Sequence, residues 1–186
     1  MANSETPAKT ETAPVGGGRS VVLIGLMGAG KTTVGRSLAD RLGLPFVDSD
    51  EEVVKAAGCS IEDIFEVYGE AAFRDVEARV IQRLLEEGPK VIATGGGAFM
   101  AEATRDHIRD RGISVWLKAD LDTLVLRTSG RYDRPLLKDT DPRAKLRELM
   151  DKRYPVYGEA DIVVETGGEP AATTAASVLK QLEAAR

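Results

Sequence analysis

Several residue types are scarce in this chain, and each scarcity removes a class of chemistry. Among the 186 residues there is one cysteine, Cys59. A single cysteine makes no internal disulfide and builds no cysteine zinc site. There is one histidine, His107, set among Arg105, Arg109 and Arg111. A Ser-His-Asp mechanism would rest on it alone, and its polar helical setting reads as a solvated surface position. No apolar run approaches the roughly 20 residues of a membrane-spanning helix. Basic residues are in the minority: the formal net charge is -5, the wrong sign for a general nucleic-acid binder, though a local basic pocket remains open. What is present, 42% hydrophobic and 30% charged residues, is the composition of a soluble globular protein. The length suits one α/β domain with a full core.

Residues 1–19 are rich in Thr, Ala, Pro and Gly. They lack the apolar centre of a secretory signal, and Glu5 and Glu11 with a single arginine make a poor transit peptide. A disordered lead-in over 1–19, a domain over 20–186 and a cytoplasmic location are expected.

The most informative stretch is Gly25-Leu26-Met27-Gly28-Ala29-Gly30-Lys31-Thr32. It follows the apolar run Ser20 to Ile24 and leads into helical spacing at Val34, Leu38 and Leu42. This is G-x-x-x-x-G-K-[ST] between a strand and a helix, the setting a phosphate-binding loop requires. Its glycines let successive N–H groups turn inward as an anion nest, and the helix start adds partial positive charge. Lys31 supplies a point charge for β- and γ-phosphates, and Thr32 a hydroxyl for Mg²⁺. Gly28, Ala29, Gly30 and Thr33 complete the expected nucleotide contacts.

Further strands are predicted at Pro45 to Val47, Val91 to Ala93, Ile113 to Leu117 and Ile162 to Val164, alternating with helices. That alternation predicts a parallel sheet with helices on both faces. Strand two ends in Asp48-Ser49-Asp50, where open α/β sheets place ligands. A helix N-cap is the plainer explanation for one of these three. A helix is expected over Glu51 to Gly58, another from Ser60 through Val67, a break at Gly69, and a long helix from Glu70 to Glu87. Arg74 lies beside that helix's apolar stripe, as a snorkelling arginine would. Strand three runs into Thr94-Gly95-Gly96-Gly97, bare backbone open to close approach by a ligand. The stretch from Thr128 to Leu137 carries Arg131 and Arg134 among glycine and proline. It reads as a cover over phosphates or as an ordinary basic loop. A charged helix, Pro142 to Tyr154, is expected to close near Pro155 with Arg153 close to its end.

Together these parts form a layout for phosphoryl transfer, in which catalysis is mainly positioning and charge stabilisation. Arginines beyond the needs of one triphosphate suggest an anionic acceptor, because guanidinium groups clamp carboxylates.

From Ser20 onward the chain resembles the shikimate kinases. The resemblance is carried by Gly25 to Thr32, by Asp48 and Asp50, by Arg74 shortly after Gly69-Glu70, and by Thr94 to Gly97. It continues through Arg134 to Leu137 and through Arg153 with Tyr157. It implies a five-stranded parallel sheet of the nucleoside-monophosphate-kinase type, with an acceptor-binding region over 51–87 and a lid over 129–138. It implies ATP and shikimate as substrates, Mg²⁺ as cofactor, and a monomer that engages neither nucleic acid nor membrane. Lys31, Asp50 and Arg134 would be catalytic, with Asp50 the candidate base at the 3-hydroxyl. Asp50, Arg74, Gly95, Gly96, Gly97 and Arg153 would bind shikimate. Thr32 would hold Mg²⁺ directly and Asp48 through water, while Arg127 and Pro170 would flank adenine. Gluconate and nucleoside-monophosphate kinases share the loop, but are not expected to carry the glycine triplet with both arginines at these spacings. A nucleotide-dependent switch or an inactive regulator is the non-enzyme alternative, although a dead copy should have lost Lys31, Asp50 or a clamp arginine.

Asp50→Asn is expected to lower turnover by about 10²- to 10⁴-fold while ATP binding is kept. Steady-state kinetics beside nucleotide titration checks this, and unchanged turnover removes Asp50 from the mechanism.

Overall fold

The computed structural model describes residues 15–129 and 140–185. Val15–Gly18 form one 3₁₀ turn, and the rest of the expected lead-in up to residue 14 lies outside the described residues. Most of the expected lid, including Arg134, also lies outside them.

Five strands form one parallel sheet: β1 (Ser20–Ile24), β2 (Phe46–Asp48), β3 (Val91–Ala93), β4 (Gly112–Ala119) and β5 (Ile162–Thr166). Their order is β2-β3-β1-β4-β5. The central strand β1 is buried along its whole length, which explains its unbroken apolar run: helices cover both faces, so neither needs polar residues. The helices are α1 (Lys31–Leu42), α2 (Ser49–Ala57), α3 (Ile61–Glu86), α4 (Glu102–Arg111), α5 (Leu121–Thr128), α6 (Pro142–Tyr157) and α7 (Ala171–Ala184). Gly35 lets α1 lie close to β2, since a Cβ there would stand 2.5 Å from the Phe46 ring. Among the described residues no helix is long and apolar enough to cross a membrane.

The register is what positions the site. Leu23 pairs with Ala93, and Asp48 pairs with the same Ala93. The loop after β1, the acids after β2 and the glycine triplet after β3 therefore leave the sheet at one level and one edge. That is the carboxyl edge, where open α/β sheets gather their ligands.

The break expected at Gly69 is present: the run from Ile61 to Glu86 is two helices joined at a non-helical kink, with Gly69 at φ 83° and ψ 171°. One expectation is corrected. The last turn of α6 does not stop near Pro155. It continues to Tyr157, and the Gly158 N–H donates to the Tyr154 carbonyl at 3.0 Å. A proline inside a helix costs about 3 kcal/mol. Packing opposes that cost: Tyr154 and Tyr157 both meet Trp116 edge-on, with ring centroids 4.8 and 5.8 Å away.

Candidate active site

One continuous cavity of about 1280 Å³ runs along the carboxyl edge of the sheet. Pockets for a single small ligand are about 300–1,000 Å³, so this one has room for a nucleotide and an acceptor together.

The phosphate loop lines one part of it. Gly28 and Gly30 hold φ of 83° and 93°, left-handed values that other residues adopt only with strain. Gly25 is required for another reason, because a Cβ would lie 2.8 Å from the Leu117 carbonyl oxygen. Gly30 is also the N-cap of α1, so the first N–H groups of a 12-residue helix open toward the loop. The Lys31 ammonium donates to the carbonyls of Gly25 at 2.7 Å and Leu26 at 2.9 Å, which holds it across the loop. Gly28, Ala29, Thr32 and Thr33 line the same cavity.

The two acids divide their work. Asp48 caps α2, its Oδ1 accepting from the Asp50 N–H at 2.9 Å, while its Oδ2 accepts from the Thr32 hydroxyl at 3.2 Å. Capping and a place beside Thr32 are thus both true of Asp48. Asp50 lies in the first turn of α2 and lines the cavity. Among the described residues no group of three or more His, Cys, Asp or Glu is arranged to hold a metal. A hydroxyl with one nearby carboxylate instead fits Mg²⁺, which keeps several waters and leans on substrate phosphates.

At each glycine of the triplet the space of the missing side chain is taken by a charged group. A Cβ at Gly95 would lie 2.8 Å from Glu77 Oε1 and 2.9 Å from Asp50 Oδ1. At Gly96 it would lie 2.9 Å from an Arg153 guanidinium nitrogen. At Gly97 it would overlap the Arg74 guanidinium. The structure therefore brings Asp50, Arg74, Arg153 and the triplet together, as expected. Arg153 is 7% exposed and forms no ion pair with a described carboxylate. Burying a cation without a countercharge is costly.

Glu77 is a site residue that sequence reasoning missed. It is 2% exposed, and its Oε2 accepts from Arg74 Nη1 at 2.7 Å. Burial pushes its carboxyl above the ordinary 4.5, while Arg74 beside it pulls the other way. The signal available in the sequence was the i,i+3 spacing from Arg74.

At the nucleotide end, Arg127 donates to the carbonyls of Gly28 at 3.3 Å, Ala29 at 3.4 Å and Gly167. It thereby ties the phosphate loop to the loop before α7. Pro170 is the N-cap residue of α7 and is not among the cavity-lining residues, whereas Glu169, Ala171 and Thr174 are. Glu169 accepts from the Gly167 N–H at 3.0 Å and from the Thr174 hydroxyl at 2.9 Å.

A phosphate loop at one part of a cavity and a pair of arginines, one of them buried, at another define a phosphotransferase with an anionic acceptor. The comparisons with known proteins agree. Residues 27–183 match the family model described as shikimate kinase, and the chain belongs to that family. The shikimate kinase of Paramagnetospirillum magneticum is 56% identical over 165 residues, 89% of this chain and 85% of that protein. That of Rhodopseudomonas palustris is 54% identical over 169 residues, 91% of this chain and 83% of that protein. Among solved structures, the shikimate kinase from Acinetobacter baumannii in complex with shikimate has a TM-score of 0.87 at 40% identity, covering 90% of this chain and 94% of that one. A gluconokinase from Sinorhizobium meliloti has a TM-score of 0.57 at 21% identity, over 90% and 94% of the chains, a likeness of fold alone.

The buried Glu77 makes a pH prediction. Its native carboxyl binds a proton more tightly than in the unfolded chain, so its contribution is fully present below about pH 4.5 and is lost as pH rises through the native value. Wild type should lose stability relative to Glu77→Gln across that window, read by urea unfolding at a series of pH values. Parallel stability curves would show that Glu77 titrates as an ordinary surface acid.

Proposed function

We propose that this protein transfers the γ-phosphoryl group of ATP to the 3-hydroxyl of shikimate, giving shikimate 3-phosphate and ADP on the route to aromatic amino acids. The observation that carries this reading is the buried Arg153, without an ion pair to a described carboxylate, beside Arg74 and the glycine triplet. Shikimate offers one carboxylate and several hydroxyls on a ring. Its carboxylate fits between Arg74 and Arg153, with N–H groups of Gly96 and Gly97 alongside. Glu77 holds Arg74 from behind, so the guanidinium meets the acceptor in a fixed orientation.

In this pose the hydroxyls turn toward Asp50, which lines the same cavity as the phosphate loop. Asp50 orients the 3-hydroxyl and takes its proton as the new O–P bond forms and the bond to ADP breaks. Lys31 stabilises charge on the γ-phosphate, and Arg134 is assigned the same task by the family resemblance. Arg127 braces the phosphate loop and flanks the adenine. Thr32 would hold Mg²⁺ and Asp48 would steady it through water; when bound, the ion supplies charge neutralisation on the phosphates. Residues 51–87 serve as the acceptor-binding region and 129–138 as the lid of a kinase domain over 20–186. The proposed enzyme is a monomer acting on small molecules in the cytoplasm.

The test is ADP release by the purified protein with Mg·ATP and shikimate, gluconate or a nucleoside monophosphate. Strong stimulation by shikimate alone is expected, with the shikimate KM raised in Arg74→Ala. Stimulation by a control instead would overturn the acceptor assignment, and none with any acceptor would favour a nucleotide-dependent switch.

A further inference from the structure

Tyr157 is 0% exposed and does not line the cavity, yet its hydroxyl reaches the floor of the acceptor pocket. It stands four residues after Arg153 on α6, one helical turn along the same face. Its ring is fixed on three sides, by Trp116 at 5.8 Å, Phe99 at 6.5 Å and Tyr154 at 6.0 Å between centroids. The phenol donates its proton to the Gly96 carbonyl, and the phenol oxygen itself accepts from the Arg153 guanidinium, which stands beside Gly96. Burial pushes the phenol up to about 12, so it remains a donor at any physiological pH.

The consequence follows from peptide geometry. No cis bond occurs among the described residues, and the C=O and N–H of a trans peptide point in opposite directions. Holding the Gly96 carbonyl inward on Tyr157 turns the Gly97 N–H the other way, toward the cavity. The turn is anchored elsewhere at its ends. Gly95 N–H donates to the Ser49 hydroxyl at 3.3 Å, and Ala98 N–H donates to the Gly95 carbonyl at 3.1 Å. The peptide between Gly96 and Gly97 has a glycine on both sides and rotates easily unless something holds it.

We propose that Tyr157 is a positioning residue that sets affinity and selectivity for the acceptor's carboxylate. One hydroxyl fixes the Gly96–Gly97 peptide and the Arg153 guanidinium in a constant relation, so that an N–H and a cation meet the same anion. This rests on the shikimate reading of the site and extends it to a residue that does not touch the substrate.

Tyr157→Phe removes the oxygen and keeps the ring, and the probes are shikimate and its methyl ester. With shikimate, KM should rise about tenfold, the scale of one hydrogen bond to a charged group. The fall in kcat should be much smaller and the KM for ATP unchanged. With the ester, which lacks the negative charge, wild type and variant should show the same KM. Unchanged Trp116 emission checks that the ring cluster is intact, and KM does not depend on how much of the variant is folded. An equal KM rise for acid and ester, a loss confined to kcat, or a parallel rise in the ATP KM would overturn the assignment. A wild type inactive on shikimate would instead sink the proposed reaction, whereas an active wild type with an unaltered variant KM sinks this inference alone.

Discussion

The three bare backbone positions after β3 set the terms for the acceptor pocket. A side chain at Gly95 would displace Asp50 or Glu77, one at Gly96 would displace Arg153, and one at Gly97 would displace Arg74. Two carboxylates and two guanidiniums thus converge on one turn because nothing is attached to it. The opposite charges stabilise one another at this distance. Arg74 pairs with Glu77 at 2.7 Å, while Arg153 forms no ion pair with a described carboxylate. The sheet register then places this turn beside the phosphate loop, since Leu23 and Ala93 are paired neighbours. Acceptor and donor meet because two strands end side by side.

Much of this was legible before any coordinates, and the reason is locality. A phosphate loop is a short run of glycines with a lysine, flanked by a strand and a helix, and each requirement acts within a few residues. The buried strands show in the sequence because helices cover both faces, leaving apolar runs such as Val21 to Ile24. Asp48, Ser49 and Asp50 stood between a cap and a ligand site on sequence grounds. The structure resolves this by giving Asp48 a bond of each kind and leaving Asp50 at the cavity.

What was hidden depends on contacts between distant segments. Glu77 reads as one more acid on a charged helix, and only the approach of Gly95 and Asp50 makes it a buried partner of Arg74. The end of α6 was misplaced because Pro155 is a strong local stop signal. Aromatic packing on Trp116, from another strand, carries the helix one turn further and delivers Tyr157 to the glycine turn. In each case a local rule met a tertiary contact that changed the outcome.

The central claim is that the acceptor's carboxylate is held by Arg74 and Arg153 together at the glycine turn. A crystal structure with Mg·ADP and shikimate tests it most directly. The account predicts the carboxylate within hydrogen-bonding distance of both Arg74 and Arg153 and of the Gly97 N–H, with the 3-hydroxyl facing Asp50. A carboxylate turned to solvent, or either arginine engaged by the nucleotide phosphates instead, would contradict it.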